Sequence, residues 1–175
     1  MMILFLLLLL TGALVLGCAS GKIDRHTVAR LNPDELLGTW YELARFDHRF
    51  ERGMTEVEAT YTLLPDGTIQ VENSGLDAKT GARRVAVGHA KFTSDPGRLR
   101  VSFFWKFYAD YNILERGIHG DWMLIGSHSP RYLWILSRTP TLPAETFRHI
   151  LEEARLRGYD TSKLIISPQQ LESEK

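Results

Sequence analysis

Aromatic side chains and cations occur together in two short segments of this sequence, and their chemistry suits a ligand with an apolar part and an anionic head. Residues 103–111 contain six aromatic residues in nine positions, with Lys106 among them. Aromatic rings pack against apolar chains at a water boundary, while cations bind carboxylate or phosphate. We therefore predict a ligand entrance formed by His48, Arg49, Phe50, Lys106, Phe107 and Tyr108. Core packing plus a hydrophobic loop that contacts another protein would produce the same pattern.

Catalytic chemistry has little support in the sequence. The six histidines are scattered and form no His-x-x-x-His pair, so no metal site is predicted. A Gly-x-Ser-x-Gly motif and a nucleotide-binding glycine motif are both absent. Glu42 and His89 are candidates for a hydrolase or isomerase, but a lone buried glutamate is more often satisfied by a neighbouring Tyr or Arg. We predict that the chain is not an enzyme and needs no cofactor.

Period-two alternation of apolar residues runs through most of the chain and predicts strands. The run begins at 38–45 and ends at 132–138, and Pro65-Asp66-Gly67 is typical of a hairpin turn. Eight strands with short connections and no intervening helix favour a closed barrel. Pro143 and Gly158 bound an apolar stripe at helical spacing. The predicted fold is all-β, an eight-stranded antiparallel up-and-down barrel with one C-terminal α-helix packed outside.

A barrel of eight strands is just wide enough to be filled by side chains or to hold one small ligand. Several inward positions of the predicted strands are small, including Ala59, Gly75 and Gly88, which leaves volume inside. We predict that the ligand contacts come from Ala44, Asn73, Ala90, Phe92, Val101, Phe103, Trp122, Tyr132, Trp134 and Leu136. A single bulge would exchange the inward and outward sets beyond it.

The N-terminal segment predicts export and attachment to a membrane. Its first seventeen residues hold no charged side chain and are typical of the apolar part of a secretory signal, although a short transmembrane helix is a competing interpretation. Val15-Leu16-Gly17-Cys18 resembles the processing box of bacterial lipoproteins, in which the cysteine is lipidated and becomes the first mature residue. Ala19 after it favours the outer membrane, because an aspartate there signals retention in the inner one. The predicted organisation is a signal peptide at 1–17, a lipidated tether at 18–32, the barrel and helix at 33–168, and a tail at 169–175.

The charged residues give no indication of a nucleic-acid partner. Lys and Arg balance Asp and Glu, 21 against 21, and the sequence contains no block of basic residues. The sole cysteine excludes an internal disulfide. We therefore expect an ordinary solvated surface outside the aromatic segments.

Three segments resemble the lipocalin family, and within it the outer-membrane lipoprotein lipocalins of bacteria: Leu37 to Gly53, Val101-Ser102-Phe103-Phe104, and Tyr132 to Pro140. The resemblance implies that Gly38, Trp40 and Arg138 are structural, with Arg138 lying across the Trp40 ring at the closed end of the barrel. It also implies a fatty acid or lysophospholipid as ligand, stored or transported on the periplasmic side of a Gram-negative outer membrane. The chain departs from the family at 115–117, where its Thr-Asp-Tyr-like turn is missing.

Two other functions remain open at this point. One is an envelope interaction protein with a filled barrel, whose aromatic loop binds another protein or a second copy in a homodimer. The other is a lipid-processing enzyme. Lipocalins that isomerise prostaglandins use a cysteine nucleophile inside the barrel, whereas the sole cysteine here, Cys18, belongs to the anchor.

Overall fold

The computed structural model describes residues 22–104 and 106–172. The predicted signal peptide at 1–17, the lipidation site Cys18, and Trp105 lie outside these residues. The strands are β1 Gly38–Phe46, β2 Met54–Leu63, β3 Ile69–Asp77, β4 Arg83–Phe92, β5 Arg98–Phe104, β6 Phe107–Arg116, β7 Trp122–Gly126, β8 Leu133–Ser137 and β9 Leu164–Ile166. The helices are α1 Ala144–Leu156 and α2 Pro168–Glu172, with single 3₁₀ turns at Pro33–Leu36 and Thr161–Lys163.

The first eight strands form a closed antiparallel barrel, which confirms the predicted fold. Each strand pairs with the next one in the chain, and β1 pairs with both β2 and β8, so the ring has no free edge strand. The short strand β9 pairs with the last three residues of β1. Asp66 shapes the β2–β3 turn, since its carboxylate accepts a hydrogen bond from the Thr68 backbone N–H at 2.9 Å.

The apolar residues of the barrel form two separate cores. One lies inside the barrel, and the other lies on the outer face of the strands that α1 covers. One core fills the closed end of the barrel around Trp40, Ile113 and Ile125. The other lies outside the wall, where α1 places its buried stripe of Phe147, Ile150 and Ala154 against the outer faces of β1, β7 and β8. Burying a Phe or Ile side chain contributes about 1.5–3 kcal/mol, so α1 is a structural part of the barrel.

Two predicted ligand contacts, Ala44 and Trp122, belong to the outer core and point away from the barrel interior. A bulge between Glu42 and Ala44 shifts the register of β1 against β8, which turns Ala44 outward beneath α1. Trp122 packs beside His149 of α1, with ring centroids 6.3 Å apart. Every residue of β7 is buried, because α1 covers its outer face, and alternation therefore carries no information on that strand. Both predictions of ligand contact were wrong.

The segments predicted as a tether and a tail pack against the barrel where the structure describes them. Asp24 donates its backbone N–H to Arg157 O at 2.9 Å, and Val28 donates to Ile113 O at 3.0 Å. At the other terminus, residues 168–172 form α2 instead of a loose tail. The Gln170 side chain is fully buried there and bonds both the N–H and the carbonyl of Leu142.

Candidate functional site

The closed end of the barrel is sealed by Trp40 and the side chains around it. Trp40 is 1% exposed, and its Nε1 donates to Leu36 O at 2.8 Å. The guanidinium carbon of Arg138 lies 3.7 Å from the centroid of the Trp40 rings. Arg138 also donates to Thr39 O and Glu35 O, so it ties β8 to β1 and to the 3₁₀ turn before it. This cation–π contact contributes about 0.5–2 kcal/mol and leaves no passage for a ligand.

The turn between β6 and β7 also belongs to the closed end and contains an acidic residue and an aromatic one. Asp121 accepts a hydrogen bond from the Arg138 backbone N–H at 2.8 Å through its carbonyl, and Trp122 follows it directly. These residues lie beyond 115–117, where the sequence analysis expected the turn and found neither residue type. The predicted departure rested on residues 115–117, whereas the acidic and aromatic residues of the turn are Asp121 and Trp122.

The opposite end of the barrel is open. Here the alternation along β4 and β6 directs Ala86 and Ala109 inward, yet both are exposed to solvent. Asn73, Val101 and Trp134, which also face inward, are half-buried. Exposure of inward residues falls towards the closed end, where Ile69 and Leu99 are 1% and 2% exposed. The interior is therefore a cup that solvent enters from one side.

A pair of tyrosines marks the bottom of this cup. The hydroxyls of Tyr61 on β2 and Tyr111 on β6 lie 2.9 Å apart, within hydrogen-bond distance. Burial raises the pKa of Tyr61 to about 12 and raises that of Tyr111 as well, so both hydroxyls stay protonated. Beneath them is an apolar cavity of about 10 Å³, lined by Leu36, Tyr61, Ile69, Ala90, Leu99, Val101 and Tyr111. A cavity of that size holds about one water molecule.

Four ionisable side chains form a charge cluster in the wall near the open end: Glu42, Arg45, His48 and Glu51. Arg45 Nη1 donates to Glu42 Oε1 at 2.6 Å, and both side chains are 6% exposed. Arg45 Nη2 reaches across to the loop between β1 and β2, where it donates to the carbonyls of Glu51 and Met54. His48 Nε2 lies 3.1 Å from Glu51 Oε2, and Trp134 Nε1 donates to the same oxygen at 3.3 Å. The cluster thereby fixes the loop over the wall.

The charges of this cluster are close to balance at neutral pH. Burial, and then the negative charge of Glu51, raise the pKa of Glu42 to about 8, although Arg45 opposes the shift. The pKa of Glu51 is lowered despite its burial, because the His48 ring lies 3.1 Å from its carboxylate and Trp134 donates a hydrogen bond to it. Glu42 is therefore mostly neutral and Glu51 ionised, so that Arg45 and Glu51 compensate each other.

Stacked rings line the wall beside the charge cluster. Tyr132 and Trp134 lie parallel with centroids 5.8 Å apart, and the His48 ring meets the edge of Trp134 at 5.1 Å. His48 was predicted as a cation at the entrance, but its ring is buried and lies 3.1 Å from the Glu51 carboxylate. The prediction that it offers a free charge to a ligand was wrong. Arg49 remains at the surface, with its guanidinium 4.9 Å from the ring centroid of the exposed Phe50.

The other predicted entrance residues lie at the rim of the cup. Phe104 and Phe107 stack with centroids 6.1 Å apart and are 73% and 70% exposed. Phe103 is partly exposed above Gly88, where an added Cβ would lie 2.8 Å from its ring. Lys106 is exposed, and Tyr108 lies beneath the Lys91 ammonium at 4.9 Å. The structure thus brings the predicted cations Arg49 and Lys106 to the open end, together with Phe103, Phe104 and Phe107.

The remaining predicted contacts fall at different depths. Trp134 and Leu136 face inward on β8, and Tyr132 precedes them in the loop. Asn73 faces the cup, and its Oδ1 has no hydrogen-bond partner among the described residues. Ala90 lies at the closed end, lining the small cavity, and Phe92 packs against the same core.

Arg45, Glu51 and Tyr61 were not singled out by the sequence analysis. Arg45 lies one step past the bulge, so simple alternation assigned it outward. Tyr61 is two residues after Ala59, so alternation along β2 predicts that it faces inward. Nothing in the sequence indicates that it contacts Tyr111.

The part of the chain that the structure describes contains no cluster of side chains arranged as a metal site or a catalytic site. No group of three His, Cys, Asp or Glu side chains lies close enough to hold a metal ion there. Glu42 is bound to Arg45, and His89 is exposed on β4, so the two candidate catalytic residues do not face a common site. Among residues 22–104 and 106–172, no helix is long and apolar enough to span a membrane.

The model of the lipocalin-like domain matches residues 31–169, which include the whole barrel and α1. The chain is a lipocalin. It is 44% identical over 156 residues to the outer membrane lipoprotein Blc of Escherichia coli, with 87% of this chain and 88% of that protein covered. It is 37% identical to the Blc protein of Vibrio cholerae, covering 93% and 97%. The crystal structure of insecticyanin from Manduca sexta has the same fold, with a TM-score of 0.68 at 18% identity over 82% of this chain and 84% of that one.

Membership of this family fixes the class of function. Lipocalins bind small hydrophobic molecules, and those of the Blc kind are binding proteins and not enzymes; this chain is a lipid-binding lipocalin of that kind. Its bacterial relatives are outer-membrane lipoproteins, and the outer membrane of a Gram-negative bacterium is its location.

Proposed function

We propose that this lipocalin binds one amphipathic lipid, a fatty acid or a lysophospholipid, with its tail in the cup and its head at the rim. The observation that carries the proposal is the exposure of inward residues, which is high at Ala86 and Ala109 and falls to 1–2% at Trp40, Ile69 and Leu99. An apolar tail that enters from the open end would be enclosed on all sides except that one. Pockets that enclose most of a ligand in this way are typical of small-molecule sites.

The tail would contact the half-buried walls of the cup. These contacts comprise Asn73, Val101, Phe103, Tyr132, Trp134 and Leu136. Ala90 and Phe92 lie at or below the tyrosine pair and would contact at most the end of the tail. Each methylene group transferred from water into such walls contributes about 0.8 kcal/mol.

The head of the ligand would meet Arg49 and Lys106, the two cations predicted for the entrance that remain at the surface. Carboxylate and phosphate groups bind such cations through charge-assisted hydrogen bonds. His48 is excluded from this role by its contact with Glu51.

Attachment through a lipidated Cys18 would keep the barrel on the periplasmic side of the outer membrane, where a lipid could be stored or transported. Several acyl chains on one cysteine make an effectively permanent anchor, at about 0.8 kcal/mol per buried methylene. The aromatic rim would suit contact with a bilayer surface, since amphipathic rings are favoured at such boundaries.

Native mass spectrometry of the protein extracted in mild detergent tests the proposal, with Ala86→Trp and Val87→Trp as a matched pair. Ala86 faces the cup and Val87, its neighbour on β4, faces outward. We expect one lipid per wild-type chain, none on Ala86→Trp, and normal occupancy on Val87→Trp. Absence of lipid from the wild type, or equal occupancy in both variants, would contradict the proposal. An empty wild-type barrel that captures a second copy would favour an interaction protein.

A further inference from the structure

We propose that Tyr61 and Tyr111 form a bridge across the barrel that sets the greatest length of acyl tail this protein accepts. The inference rests on the proposed function, because it concerns a tail that lies in the cup. The bridge would add a determinant of chain-length specificity to that function, because it stops the acyl tail at a fixed depth in the barrel.

The two tyrosines come from opposite walls. Their strands, β2 and β6, are four positions apart in a ring of eight, so the hydroxyl contact of 2.9 Å spans the interior instead of joining neighbours. Side chains on neighbouring strands contact each other along the wall, whereas these two contact each other across the barrel interior. A tail that descends from the open end must therefore reach the two rings before it reaches the closed end.

Exposure changes at the level of this bridge. Tyr111 and Val101 are half-buried, whereas their cross-strand partners Leu99 and Ala90 are each only 2% exposed. The cavity below holds only about 10 Å³, and Trp40 with Arg138 seals the barrel under it. The bridge is the last partition before a space that is too small for a methylene chain.

The chemistry of the bridge suits a stop better than a ligand contact. One tyrosine hydroxyl donates and the other accepts in this hydrogen bond, so the polar atoms face each other and a descending tail meets the two rings. A tail can pass only if one of the two rings moves aside, which also breaks the hydrogen bond that joins them. A tail therefore gains nothing by pushing past the bridge.

The test measures the affinity of saturated fatty acids, from about ten to about twenty carbons, for the wild type, Tyr61→Ala and Tyr61→Phe. Each newly buried methylene raises the affinity about fourfold, so the affinity should climb with chain length and then stop at a limit. Tyr61→Ala removes the ring, joins the small cavity to the cup, and should move the limit by about two or more carbons. Tyr61→Phe keeps the ring and should leave the limit where it is.

Tyr111→Ala repeats the test from the opposite wall and covers the case in which Tyr61→Ala fails to fold. Near-UV circular dichroism checks the fold of each variant. If both Ala variants fold and keep the wild-type limit, the bridge does not set the length. Lysophospholipids of the same chain lengths are measured alongside. If the wild type binds neither lipid class at any length, the proposed function fails; if it binds them and the Ala variants keep its limit, only this inference fails.

Discussion

Glu42 lies in the barrel wall against Arg45 and close to Glu51, and its neighbours decide whether it carries a charge. Burial and the Glu51 carboxylate raise its pKa from 4.5 to about 8, so the folded protein holds a proton that the unfolded chain releases. Between these two values the unfolded state binds fewer protons than the folded state. This group therefore makes the protein less stable as pH rises through that window, and it adds no further change above it.

Replacing Glu42 by Gln should remove this pH dependence. The amide keeps the shape of the protonated carboxyl and can still accept the hydrogen bond from Arg45, but it cannot ionise. We expect the free energy of unfolding of Glu42→Gln to gain on the wild type as pH rises from 4.5 to about 8. Urea unfolding at several pH values measures the difference. A constant difference across the window would contradict the assignment of the proton to Glu42.

The exposed ion pair between Asp47 and Arg52 supplies a control at the same loop. Its side chains are 46% and 65% exposed, so solvent screens the pair. Arg52 lowers the pKa of Asp47, the opposite direction from Glu42. Asp47→Asn should therefore leave the stability difference flat above pH 4.5, the range in which Glu42→Gln departs from the wild type.

At the scale of single elements, α2 depends on one buried amide. Gln170 is fully buried, and its side chain donates to Leu142 O at 3.1 Å and accepts from Leu142 N–H at 2.7 Å. It thereby joins the C-terminal helix to the segment that leads into α1.

Gln170→Ala should lower the free energy of unfolding by about 2 kcal/mol or more, because it leaves both polar groups of Leu142 without this partner. Gln169→Ala, a change of the same residue type on the same helix, affects a half-buried side chain and should cost much less. Chemical denaturation of both variants makes the comparison. Equal losses would mean that α2 contributes through its helix alone.

The strands and α1 could be predicted because their apolar residues follow a period of two or of helical spacing. Alternation fails where a second layer covers the outer face, as at Trp122, and where the register shifts, as at Ala44. The docking of α2 could not be predicted, because it depends on a polar side chain with partners 28 residues away. Patterns of hydrophobicity do not record such a contact.

The binding site as a whole was predicted in part. Alternation identified Asn73, Trp134 and Leu136 as inward residues, and composition located the aromatic rim. The charge cluster could not be predicted, because the bulge reverses the direction of Arg45 and because its hydrogen bonds reach the loop carbonyls of Glu51 and Met54. The partnership of Tyr61 and Tyr111 joins positions 50 residues apart and depends on closure of the ring.

For the whole molecule, Cys18→Ser tests the anchor. Without the thiol no lipid can be attached and the precursor is not processed, so we expect the protein to lose its acyl chains and to leave the outer-membrane fraction. Mass spectrometry of the purified protein measures the acyl chains. An unchanged amount of Cys18→Ser in the outer-membrane fraction would contradict the lipoprotein assignment.

The docking of Asp24 and Val28 on the barrel also limits how far an anchored form of this protein can travel. Their hydrogen bonds fix this segment to the wall. If Cys18 carries the proposed lipid anchor, six peptide steps separate it from Asp24, and a fully extended chain spans at most about 22 Å over that distance. A barrel on so short a tether would stay at the surface of its own membrane. It would exchange lipid with that leaflet in place, and a soluble shuttle would be needed to carry cargo across the periplasm.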